Sequence, residues 1–137
     1  MARLIVDGMN VIGSRPDGWW RDRAAAAWRF ARRLEALSEA SGDEVTVVFD
    51  GRPGRAGPPE QPEGEPLRVL YARRGGRNAA DERIAELVAD DADPASLTVV
   101  TSDAALRREV EALGAHVVGA SVLLRRLDAL EGGAEAR

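Results

Sequence analysis

Five short runs of aliphatic and β-branched residues punctuate this chain: RLIVD (3–7), EVTVVFD (44–50), LRVLY (67–71), LTVVTSD (97–103) and AHVVG (115–119). Runs this continuously apolar suit strands of a parallel sheet covered on both faces. The segments between them carry helical patterns. Trp20, Ala24, Ala27, Ala31 and Leu34 step by four and three along one stripe. Ile84, Leu87 and Val88 share a face of NAADERIAELVAD, with Asn78 at the N-cap position. Leu106, Val110 and Leu113 do the same in DAALRREVEALG, which stops at Gly114. A last helix from Ser121 carries Leu123, Leu127 and Leu130. Strands alternating with helices predict an α/β three-layer sandwich: a five-stranded parallel sheet with right-handed crossovers and helices on both faces.

One domain over residues 1–131 accounts for this pattern. The segment GRPGRAGPPEQPEGEP (51–66) is too rich in proline and glycine for regular structure and reads as a mobile loop. Residues 132–137 read as a frayed tail. With 137 residues the chain can bury a real core. The absence of cysteine excludes disulfides, zinc–thiolate sites and thiol nucleophiles. All 19 basic residues are arginine, so no mechanism here can use a catalytic lysine. No apolar run approaches the roughly 18–20 residues of a membrane span. MARLIV runs straight into an aspartate, unlike a signal peptide, so the expected compartment is the cytoplasm and no membrane partner is implied.

Three of the strand runs end in an acid: Asp7, Asp50 and Asp103. In a parallel sheet the carboxyl ends of the strands share one edge, where open α/β sheets bind ligands. Asp81 falls in the first turn of a helix that starts at the same edge, and Asn10 and Ser102 add neutral oxygens. Aspartate also ends strands because it suits turns and N-caps, but four on one edge exceed what turns require. Crowded carboxylates raise one another's pKa, and a hard divalent cation relieves them. Such an ion can activate water and clamp a phosphoryl group.

The ordered set LIVDGMNVIG (4–13), VTVVFDG (45–51), AADERI (79–84) and VVTSD (99–103) resembles the NYN domains of the PIN-like nuclease superfamily, nearest their YacP-like branch. That resemblance implies a sheet ordered 3-2-1-4-5 and an endoribonuclease dependent on Mg²⁺ or Mn²⁺. It also implies Asp7, Asp50, Asp81 and Asp103 as catalytic, metal-holding acids, supported by Asn10 and Ser102, and products with 5′-phosphate and 3′-hydroxyl ends. The implied partner is RNA, free or on the ribosome.

RRGGRN (73–78) sets Arg73, Arg74 and Arg77 just before Asp81, where guanidinium groups could pair with phosphates despite the net charge of −4. Among the tryptophans, Trp20 and Trp28 are expected to pack, leaving Trp19 to stack a base. His116 stands alone and away from the acids, so acid–base cleavage by paired imidazoles is excluded. The Gly-Lys-Ser/Thr of a P-loop and the G-x-G-x-x-G of a dinucleotide site are both absent. The competing reading is a non-catalytic RNA- or ribosome-binding module of the same fold. An apolar patch on the final helix would permit a homodimer.

Overall fold

A computed structural model of the chain, describing residues 2–62, 67–76 and 78–135, gathers the five apolar runs into one sheet. In chain order the elements are β1 (Arg3–Asp7), α1 (Gly8–Gly13), α2 (Arg23–Ser41), β2 (Glu44–Phe49), β3 (Leu67–Tyr71), α3 (Ala79–Asp90), β4 (Leu97–Val100), α4 (Ala104–Ala112), β5 (His116–Val118) and α5 (Ala120–Glu135). Every strand pair is parallel, in the order β3-β2-β1-β4-β5. β1 is therefore central, with Asp7 in register with Val48 and Val6 opposite Val100.

The two-residue period of the strands divides the core. Leu4, Val6, Val47 and Phe49 face α1, α2 and α5, meeting Val11, Phe30, Leu34 and Leu127. Ile5, Val48, Leu70 and Val99 face α3 and α4, meeting Ile84, Val88, Leu106 and Val110. Each such aliphatic side chain contributes roughly 1.5–3 kcal/mol on burial, so both layers are needed to hold the central strand. Among the described residues no helix is long and apolar enough to cross a membrane.

Several local features depart from the sequence reading. DGMNVIG, which shows no long helical period, makes the short helix α1 directly after β1. The apolar face of α2 runs through Ala26, Ala27, Phe30, Ala31, Leu34 and Leu37 and excludes Trp20. The reason is a break in the helix: Asp22 is extended (φ −153°) and its carboxylate caps Ala25 N–H at 3.0 Å, leaving Trp20 in a separate 3₁₀ turn, Trp19–Arg21. Trp20 is 52% exposed and Trp28 43%, so neither packs as expected, whereas Trp19 is half-buried against the core. On α5, Leu123, Leu124 and Leu127 are buried within this chain and the outer face carries Arg125, Arg126 and Asp128. Val122, 39% exposed, is the large apolar side chain that α5 leaves outside. α5 itself continues to Glu135, past the Gly132 at which a tail was expected to begin.

The described part of the proline-rich connection carries no helix or strand and makes several contacts with the body of the protein. Gly57 and Pro58 are buried, Tyr71 Oη donates to Pro58 O at 2.7 Å, and Gln61 pairs antiparallel with Val69. Residues 63–66 of that expected loop lie outside the described residues.

Gly8 shows how tightly the end of β1 is packed. A Cβ there would sit 2.6 Å from Phe49 Cδ1 and 3.0 Å from Val48 O. Gly8→Ala is expected to lower stability by about 1–3 kcal/mol through overpacking, read as a lower urea midpoint at unchanged slope. A midpoint equal to wild type would show that Phe49 yields without strain.

Candidate functional site

β1 ends on Asp7 and its parallel neighbour β4 ends just before Thr101, so both strands deliver oxygen-bearing side chains to the carboxyl edge of the sheet. Asp7 is 5% exposed. Its carboxyl is pushed up to about 7, first by burial and then by the charges of Asp81, Asp103 and Asp50. One hydrogen bond opposes that rise: Thr101 Oγ1 donates to Asp7 Oδ2 at 2.8 Å.

Thr101 is fully buried and has a second duty, since its Oγ1 accepts from Asp103 N–H at 3.1 Å. Asp103 is the N-cap of α4, its Oδ1 accepting from Leu106 N–H at 2.9 Å. Asp81 lies in the first turn of α3, half-buried, with its carboxyl raised by burial and then by Asp103 and Glu109. Asp50 follows β2 and is more open; Arg23 Nη2 approaches it at 3.6 Å. The four acids named from sequence therefore share one field, but not equally. Asp7, Asp81 and Asp103 form its buried and capped part, while Asp50 stands outside with a cation beside it.

Asn10 and Ser102 are brought together as ties between elements. Asn10 Oδ1 accepts from Ser102 N–H at 2.9 Å, and Ser102 Oγ accepts from Ala120 N–H at 3.0 Å, the first amide of α5. Arg73 pairs with Glu86 at 3.3 Å and Arg74 with Glu82, the latter next to Asp81 in the first turn of α3. These pairs are exposed and weak. Arg77 lies outside the described residues. Trp19 stands on the α1–α2 side of the sheet, in an edge-to-face contact with Trp20. His116 opens β5 at the opposite end of the strands.

Two residues escaped the sequence reading. Thr101 had a signal, a hydroxyl between an apolar strand and an aspartate, which could have been read as a partner for a neighbouring strand's acid. Glu109 had none, because only the packing of α3 beside α4 brings it to Asp81.

Among the described residues no three acidic or imidazole side chains converge closely enough to enclose a metal ion by themselves. The donor chemistry nonetheless fits a hydrated hard cation: Mg²⁺ keeps several waters and needs only one or two carboxylates. A larger cleft, about 740 Å³, opens at the opposite edge of the sheet, where Arg3 is engaged by Asp91 at 2.6 Å and by Glu44. It contains none of the four acids, so size alone does not locate the chemistry.

Two crystal structures of Rae1 (YacP) from Bacillus subtilis share this architecture. A point mutant matches with a TM-score of 0.77 at 26% identity, over 99% of this chain and 80% of that one. A second structure of Rae1 (YacP) matches with a TM-score of 0.74 at 26% identity, over 100% of this chain and 79% of its own. No curated protein matches by sequence. The sequence model of the YacP-like NYN domain matches residues 4–136, the strands, the acids and nearly all the rest. The chain belongs to the YacP-like NYN domain family.

Proposed function

We propose that this protein is an Mg²⁺- or Mn²⁺-dependent endoribonuclease that hydrolyses RNA phosphodiesters at the Asp7 edge. The observation that carries the reading is a carboxylate buried at a central strand end, pushed up to about 7 by burial and by three further acids. Such an arrangement is unfavourable for folding and gains a purpose only if positive charge enters it. Membership of the NYN family supports RNA as substrate and a divalent ion as cofactor.

Asp7, with Asp81 and Asp103 beside it, would hold the ion, directly or through waters, and Asp50 would act from outside. When bound, the ion supplies an activated water and charge stabilisation for the phosphoryl group and the departing 3′-oxygen. The remaining work falls to the chain itself. Thr101 fixes Asp7 Oδ2 in one orientation, and the α4 cap fixes Asp103 Oδ1. Burial and the neighbouring acids favour the protonated form of Asp7, and a nearby cation would favour the ionised form. Arg73 and Arg74 can exchange their exposed carboxylate partners for backbone phosphates at little cost.

The test is cleavage of labelled single-stranded and hairpin RNAs with Mn²⁺, Mg²⁺ or chelator, by wild type and Asp103→Asn. Asparagine caps helices as well as aspartate, so the variant should melt like wild type. Metal-dependent cutting by wild type and a loss of about 100-fold or more in the variant are expected, since a charged group at the reacting centre is removed. Undiminished cutting by a folded variant would remove Asp103 from the site. The absence of a three-acid enclosure among the described residues favours, as a second reading, a non-catalytic RNA-binding module. That reading requires RNA binding with no metal-dependent cutting by either protein.

A further inference from the structure

Between α1, α2 and α5 the surface opens into a cleft of about 180 Å³. Its floor is apolar, including Ile12, Phe30 and Leu124, and Trp19 forms a wall. Arg15, Arg29 and Arg33 line it together with one acid, Asp17, but the arginines are not equivalent. Arg15 is engaged by Asp128 at 2.7 Å, and Arg33 by Asp128 at 3.1 Å and Glu131 at 2.6 Å. Arg29, exposed at the rim, has no carboxylate partner among the described residues. A chain of net charge −4 thus presents an unanswered cation beside an apolar slot.

The cleft is coupled to the acids through one side chain. Arg23 approaches Asp50 at 3.6 Å, and its guanidinium carbon lies 5.9 Å from the centroid of the Trp19 ring. The backbone connection is equally short: α1, six residues long, begins directly after Asp7 and spans about 9 Å at the usual helical rise.

We infer that this cleft seats a single base of a single-stranded RNA whose backbone crosses the acidic edge, with Arg29 bound to an adjoining phosphate. The inference deepens the nuclease reading and rests on it for the identity of the strand. An apolar floor and an indole wall suit a flat heteroaromatic ring, which can stack without regard to sequence. The volume holds one ring system and not a base pair, so a duplex would have to open. A free arginine at the rim matches phosphate in charge and in its paired donors. An apolar peptide side chain would leave that cation unmet.

Binding, rather than cutting, separates this inference from the nuclease reading. Fluorescence anisotropy of a labelled single-stranded RNA, in chelator, should be compared for wild type, Arg29→Glu and Arg108→Glu. Arg108 is exposed on α4, in the other layer, and changes net charge by the same amount. Arg29→Glu is expected to weaken binding about tenfold, the order of one stacked base with its phosphate, while Arg108→Glu leaves it unchanged. An RNA of the same length with abasic positions should lose comparable affinity for wild type. Equal losses in both variants would reduce the effect to bulk charge. An unaffected Arg29→Glu, indifference to the missing bases, or no wild-type binding would each overturn the assignment. Cleavage of the same RNA with Mn²⁺ tests the acids separately, so either reading can fail while the other stands.

Discussion

Asp7→Asn is expected to melt at a higher temperature than wild type at pH 8 in chelator, and to have lost metal-dependent cleavage altogether. The two effects share one cause. In the folded chain the Asp7 carboxyl is pushed up to about 7, against 3.8 for the unperturbed group. Below pH 3.8 both folded and unfolded states hold the proton, and the group does not affect stability. Between 3.8 and about 7 the unfolded state releases it while the folded state retains it, so stability falls as pH rises. The loss is complete somewhat above 7 and is on the order of 4 kcal/mol, because the group is almost wholly buried. Asparagine keeps an oxygen for Thr101 and never ionises. Its advantage should therefore be absent at pH 3.5, grow through the acid range and level off near pH 8 at on the order of 10 °C. Melting curves at several pH values decide it: a variant no more stable at pH 8 than at pH 3.5, relative to wild type, would remove the buried charge from the account.

The second large effect is expected from Thr101→Val, which keeps the shape of a fully buried side chain and deletes its hydroxyl. Two groups lose a partner at once, Asp7 Oδ2 and Asp103 N–H. Stability should fall by about 1–3 kcal/mol, the usual result of leaving buried polar groups unmatched. Cleavage at neutral pH should fall by about 10–100-fold, as when an orienting partner is removed from a metal ligand. Because the lost hydrogen bond was the one holding the Asp7 carboxyl down, its pKa rises further and the pH–rate profile moves to higher pH. Thr101→Ser restores the hydroxyl and should restore both profile and rate. A rate loss that is the same at every pH, or one that serine does not rescue, would reduce Thr101 to a packing residue.

The sheet and its order were legible because periodicity is a local signal. β1 to β5 each occupy an apolar run, and the order follows once LIVDGMN and VVTSD are aligned with an NYN domain. That Asp50, Asp81 and Asp103 lie near enough to act on Asp7 by their charge follows from strand ends and a helix start fixed by topology, whereas their role does not. What could not be read was which polar atoms find each other. Arg73 and Arg74 look available in sequence, but the turn of α3 sets Glu82 and Glu86 within their reach. Trp20 fits a helical stripe on paper, yet the cap at Asp22 ends the helix before reaching it. Thr101 is a strand-end hydroxyl like many others until β1 and β4 lie side by side.

The two ties at the sheet edge join the last helix to the first. Ala120 N–H holds Ser102, and Ser102 N–H holds Asn10, so the first residue of the last helix is linked through two hydrogen bonds to the helix that follows Asp7. More than a hundred positions of sequence separate the ends of this linkage, but in space it is a short lever. Any displacement at the start of α5 is therefore felt through Ser102 and Asn10 at α1, beside Asp7.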